Sequence, residues 1–142
     1  MRNRIKRILY IAVSLLIIYL YNTIIEPNLN ESYSNVVTSD LKVYFFDVGQ
    51  ADSILISNNN YNMLIDAGNN EDGPKLVKYL RKNLNIEKID YVVGTHPHED
   101  HIGGLDDIIR NFQVGEVILP EVITTTQTFE DVLLAVERKK VA

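Results

Sequence analysis

All three histidines of this 142-residue chain stand within six positions, in the run His96-Pro97-His98-Glu99-Asp100-His101. A β-branched stretch, residues 89–95, leads into the run, and Gly103-Gly104 with an apolar helical pattern follows it. A fold for this chain must therefore bring a strand end, a tight turn and a helix start to one point. A lone histidine is ordinarily a satisfied core or surface side chain; three beside an aspartate are not so easily dismissed. The chain has no cysteine, so any metal is held by His, Asp or Glu, and a disulfide framework is excluded. Imidazole and carboxylate suit a divalent first-row ion such as zinc. In an extended stretch alternate side chains share a side, so His96 and His98 can grip one ion, while Asp100 and His101 can face a second as the helix begins. Gly103-Gly104 lets backbone pack closely under such a site.

The surrounding pattern alternates strand and helix signals and predicts an α/β (α+β) domain. Residues 41–48 read as a strand ended by Gly49-Gln50, and residues 53–57 and 61–65 as a hairpin about Asn58-Asn59-Asn60. The third strand delivers Asp66-Ala67-Gly68 into a polar loop. Asp72 is placed to cap a helix with Pro74 in its first turn and Leu76, Val77, Leu80 and Leu84 as one apolar stripe. Residues 89–95 form the next strand, Leu105, Ile108, Ile109 and Phe112 a short helix, and residues 114–119 a last strand stopped by Pro120. Thr128 with Asp131 resembles a capping box for a helix reaching Lys139.

Ahead of this body lies an uncharged run, residues 8–25, behind Arg2, Arg4, Lys6 and Arg7. As a helix the run reaches roughly 27 Å at about 1.5 Å per residue, enough for a thin bilayer core. Apolar residues cover every side of it, unlike a buried globular helix, and Tyr19 and Tyr21 sit near its far end. A cleaved signal peptide is the competing reading, but no Ala-x-Ala-like exit follows. The reading is a single-pass anchor over residues 1–25, with the N-terminus cytoplasmic and the body outside, because the cations lie on one side only. Residues 26–39, rich in Asn and Ser, form a polar linker, and residues 40–142 the domain. Of 14 basic residues four precede the run, leaving ten against 19 acidic ones, so the body is acidic and a poor match for a phosphate backbone.

The segment Thr95-His96-Pro97-His98-Glu99-Asp100-His101-Ile102-Gly103-Gly104 resembles the H-x-H-x-D-H signature and Gly pair of the metallo-β-lactamase fold superfamily. Phe46-Asp47-Val48-Gly49-Gln50-Ala51-Asp52-Ser53 resembles the D-V-G-Q-G-D segment of its branch related to the competence protein ComEC (Rec2), and Leu64-Ile65-Asp66-Ala67-Gly68 resembles the family's strand ending in D-x-G. Two departures stand out: Ala51 replaces the second Gly of that pattern, and His98 stands where many ComEC relatives have Asp.

The resemblance implies the first half of an αββα sandwich and a zinc-dependent hydrolase. It assigns His96 and His98 to one zinc, Asp100 and His101 to a second, with Asp100 in the catalytic machinery. Asp66 would orient a ligand or the bound water, and Asp47, Gln50 and Asp52 would lie near the rim. The family's later ligands have no counterpart after His101, since Glu121, Glu130, Asp131 and Glu137 lack the motif context. The ending is therefore expected to be that of a truncated reading frame, and the uncovered sheet to need a partner half or self-association. The ComEC-like segments imply phosphodiester chemistry on nucleic acid, in DNA uptake, or on a small phosphodiester. The alternative is a non-catalytic fragment that binds metal weakly or associates with a partner.

Overall fold

The computed structural model describes residues 2–25, 40–122 and 124–141. The chain falls into two units, Met1–Thr38 and Ser39–Ala142. The expected linker, residues 26–39, lies outside the described residues.

In the first unit, α1 (Arg2–Leu20) is followed by a π-helical turn, Tyr21–Ile25. Thr23 donates its hydroxyl to the Tyr19 carbonyl at 2.7 Å. The uncharged run is thus divided: α1 starts inside the basic cluster and ends before the run does. No helix among the described residues is long and apolar enough to cross a membrane.

The second unit is built on a five-stranded sheet in the order β1-β2-β3-β4-β5, with β1 Lys42–Phe45, β2 Ile54–Asn58, β3 Tyr61–Ile65, β4 Lys88–Val93 and β5 Gln113–Ile118. The first three strands are antiparallel and the last three parallel. The expected hairpin is present: Asn58 pairs with Tyr61 across Asn59 and Asn60, which have φ of 47° and 72°. Two successive left-handed residues make the turn whose twist matches the strands, and asparagine tolerates that region. β1 stops at Phe45, three residues short of the expected end. Gly49 turns the chain with φ of 70°, and the Phe46 amide donates to the Ser53 carbonyl across the loop.

The parallel strands are joined by helices that cover one face. These are α2 (Gly73–Lys82) after β3, α3 (Glu99–Ile102) and α4 (Leu105–Asn111) after β4, and α5 (Gln127–Lys139) after β5. On α2 the expected stripe holds, with Leu76 and Leu80 buried, but the helix ends at Lys82 and Asn85 takes φ of 55°. Asp72 occupies the N-cap position without capping through its side chain. Its carboxylate turns back instead, accepting from the Asn69 amide at 3.1 Å and from Lys75 Nζ at 2.8 Å. The cap of α5 is Thr126, two residues before the expected Thr128, and its hydroxyl accepts from the Phe129 amide. Asp131 accepts from Gln127 rather than serving a capping box.

Register separates the two faces of the sheet. Tyr44, Leu55, Leu64, Val92 and Val117 form one cross-strand row that points under the helices, where Ile102, Leu105, Ile108, Ile109, Phe112 and Val132 complete the core. The opposite face carries the row Phe45, Ile54, Ile65, Val93 and Ile118. No described element of this unit covers it: Phe45 is 76% and Ile118 43% exposed, Ile54, Ile65 and Val93 are half-buried, and neighbouring Tyr61 and Tyr91 are exposed too.

One buried polar group fastens β3 to β4. The Asp90 carboxylate accepts from the Asn62 amide at 2.9 Å and from Lys88 Nζ, while the Asn62 side chain donates to the Lys88 carbonyl. Burial pushes the Asp90 carboxyl up, but Lys88 and the Asn62 amide outweigh it and hold it below the usual carboxylate value. Asp90→Ala leaves the Asn62 amide without its acceptor, which costs about 1–3 kcal/mol at neutral pH. A depressed carboxyl stabilises above its unfolded value and loses that contribution as pH falls through the folded one. Urea unfolding at pH 7 and pH 3 should therefore show the gap between wild type and Asp90→Ala narrowing in acid.

Candidate metal centre

β3 and β4 run parallel, so their C-terminal ends emerge side by side, and the loops that follow them carry the histidine cluster and Asp66. Leaving β3, Asp66 takes the left-handed region with φ of 57°, and its backbone amide donates to the Val93 carbonyl. A non-glycine residue in that conformation is uncommon and strained unless its surroundings hold it. Here they do. Asp66 is 2% exposed, and its carboxylate accepts from the Thr95 amide at 2.8 Å, the Thr95 hydroxyl at 2.6 Å and His101 Nδ1 at 2.8 Å.

Leaving β4, the chain bends through His96, Pro97 and His98 and winds into α3, bringing His101 back over His96, with ring centroids 3.7 Å apart. Ligand atoms of His96, Asp100 and His101 all lie within 4.8 Å of one another. His101 Nε2 is 3.7 Å from the Asp100 carboxylate. The His98 ring stands edge-on to His96 with centroids 4.8 Å apart and lies outside that three-residue group. The geometry thus gathers His96 with Asp100 and His101 and leaves His98 beside them. Two imidazoles and a carboxylate without thiolate match the donor set that zinc accepts, and three protein donors leave a position open.

The remaining site residues are placed as follows. Asp66 supports His101, and Asp52 has a carboxylate oxygen 3.7 Å from His101 Nδ1 while its amide donates to the Asp100 carbonyl. Asp47 accepts from the Gly49 amide within its own loop, and Gln50 is exposed in the same bend. Asp47 also lines a cavity of about 580 Å³ with Glu71, Lys75 and Tyr79, which includes no histidine. Thr95 is the residue that the sequence left unremarked. Its position directly before the first histidine, at a strand end, was the available signal.

Backbone hydrogen bonds lace the three loops together. Gly68 donates to the Asp52 carbonyl, Ala67 to that of His101 and Gly104 to that of Gly68. Asn70 adds a side-chain bond to Glu99 at 2.9 Å. The closeness rests on the glycine pair. A Cβ at Gly103 would lie 2.3 Å from the Asn70 nitrogen, and one at Gly104 would lie 2.4 Å from the Ala67 carbonyl oxygen.

A model of the metallo-beta-lactamase superfamily matches residues 46–140. Among solved structures, the chain is 27% identical to MEM-A1, a subclass B3 metallo-beta-lactamase from a soil metagenome library. That match covers 53% of this chain and 28% of that one with a TM-score of 0.47. Rm3 metallo-beta-lactamase is 29% identical over 53% of this chain and 28% of that one, with a TM-score of 0.45. An enzyme from Hirschia baltica is 21% identical over 69% of this chain and 42% of its own, with a TM-score of 0.42. The chain therefore spans well under half the length of these proteins. No curated protein matches it.

Gly103→Ala and Gly104→Ala should each cost about 3 kcal/mol, because the obstruction is backbone rather than a movable side chain. Gly49→Ala meets no atom within 4 Å and should cost only the left-handed penalty of about 1–2 kcal/mol. Thermal or denaturant unfolding of the three variants checks the order.

Proposed function

Because the chain belongs to the metallo-beta-lactamase superfamily, we propose that it is a zinc-binding hydrolase domain that uses the cluster at the end of β4. One observation carries this reading: three donors of zinc-compatible chemistry converge within 4.8 Å, and one of them is held by a buried carboxylate. His96, Asp100 and His101 would hold the ion, and His98, edge-on to His96 with ring centroids 4.8 Å apart, would be the further donor beside them. A bound zinc ion would supply Lewis acidity and activation of water at neutral pH. Asp66 keeps the His101 ring oriented, and the laced loops hold the donors in place before any ion arrives. Asp100 is the one carboxylate of the group and would bring the one negative charge to the ion, lowering the net charge of the centre.

For the substrate we favour a phosphodiester, in nucleic acid or a small molecule, on the strength of the ComEC-like segment at residues 46–53. A role in competence would follow from the same segment. The acidic body opposes a polyanion, though zinc would offset that locally. Anchoring by residues 8–25, with the body outside the cytoplasm, is supported by the four cations ahead of that run. A second reading, a non-catalytic metal-binding chain that needs a partner, is favoured by the uncovered sheet face and by the position of His98 outside the three-donor group.

Zinc titration of the full chain against a competing chromophoric chelator should show binding that His96→Ala and His101→Ala each weaken roughly tenfold or more. Unchanged binding in both variants would remove the cluster from consideration. Turnover of bis(p-nitrophenyl) phosphate should fall far below the ~1–10³ s⁻¹ usual for enzymes, since the pairing of two ions is incomplete. Robust turnover lost on Asp100→Asn would place the whole reaction in this chain. Protease added to cells expressing the chain should digest the body without lysis; complete protection until lysis would overturn the proposed orientation.

A further inference from the structure

We infer that Thr95 is a positioning residue that fixes which nitrogen of His96 carries the proton, and so which one is free to bind metal. The inference deepens the metal-binding reading and rests on it for its consequence, but the proton positions exist without an ion.

The argument is one of counting protons. The Asp66 carboxylate is buried and, when ionised, can only accept. His101 Nδ1 lies 2.8 Å from Asp66 Oδ2, so that nitrogen must carry hydrogen; otherwise two lone pairs would face each other. The Thr95 hydroxyl lies 2.6 Å from the same oxygen and has a single proton to give. That proton goes to the carboxylate, for the same reason. The hydroxyl oxygen is then left as an acceptor between two rings: His101 Nδ1 lies 3.4 Å away, but its one proton is directed at the nearer Asp66 oxygen, and His96 Nδ1 lies 3.2 Å away. A neutral His96 satisfies this contact only with hydrogen on Nδ1. Nε2 becomes its lone-pair nitrogen, as it does for His101, whose Nε2 lies on the Asp100 side.

One carboxylate and one hydroxyl therefore set the tautomers of two of the three cluster donors. A neutral histidine side chain in water favours the proton on Nε2, so without Thr95 part of the His96 population would have to move its proton before binding through that nitrogen. Thr95 is exposed, so replacing it removes the hydroxyl without opening a core cavity, and its backbone amide still reaches Asp66.

The chain has only three histidines, so histidine-selective ¹⁵N labelling of the full metal-free chain gives a readable spectrum. At pH 8, where ordinary imidazole with a pKa of about 6.5 is neutral, long-range proton–nitrogen correlations report the protonated nitrogen of each ring. The expected result is Nδ1–H for both His96 and His101. In Thr95→Val, His96 should shift toward the Nε2–H form while His101 stays unchanged, and Thr95→Ser should restore the wild-type pattern. Zinc affinity should fall about tenfold in Thr95→Val and recover in Thr95→Ser. A wild-type His96 protonated on Nε2, or a His96 that keeps Nδ1–H in Thr95→Val, would overturn the inference, and the wild-type spectrum decides even if that variant does not fold. Tautomers as expected with no zinc bound would uphold the inference and overturn the metal-binding reading.

Discussion

The site depends on a single buried carboxylate. Asp66 leaves β3 in the left-handed region, which aspartate tolerates better than most residues, and the hydrogen bonds that hold its carboxylate come from two other segments, the loop after β4 and α3. An ionised group removed from water must find donors. Satisfying it obliges Thr95 and His101 to come to the same place. Secondary structure and site are therefore not separable here: the parallel pairing of β3 with β4 is what lets one side chain reach both.

A second constraint is distance between backbones. Loops from three places in the sequence exchange main-chain hydrogen bonds within a few ångströms, and the carbonyl of His101 itself receives one from Ala67. Such interlacing converts flexible loops into a frame, because no one loop can move without breaking bonds in another. It also explains why glycine stands at 103 and 104 in a stretch where two short helices would otherwise favour alanine.

Much of this was legible in the residues. The period-2 runs gave five strands close to their positions, and the Asn59-Asn60 turn follows directly from what asparagine tolerates. The matches fail where local chemistry had competitors. Thr128 was the expected cap of the last helix, but Thr126 takes that place by accepting from the amide of Phe129, whose side chain is buried in the core. Asp72 looked like a cap, but Lys75 and Asn69 draw its carboxylate away. At the cluster, alternation along an extended chain suggested that His96 pairs with His98. The chain bends at residues 96–98, so His98 stands edge-on to His96, and the helical turn that follows brings His101 over His96 as well. The place of Thr95 before the first histidine marks it as a neighbour of the cluster, but its partner, Asp66, stands 29 positions earlier and is brought to it only by the fold.

The bare side of the sheet, with its unbroken row from Phe45 to Ile118, has a bearing on the life of the molecule in a cell. Chaperones and quality-control proteases recognise unfolded chains by exposed apolar surface, and they have no means of telling a finished face from an unfinished one. A chain is open to such factors for as long as this row stays uncovered, so how quickly another surface hides it matters alongside the free energy of the fold.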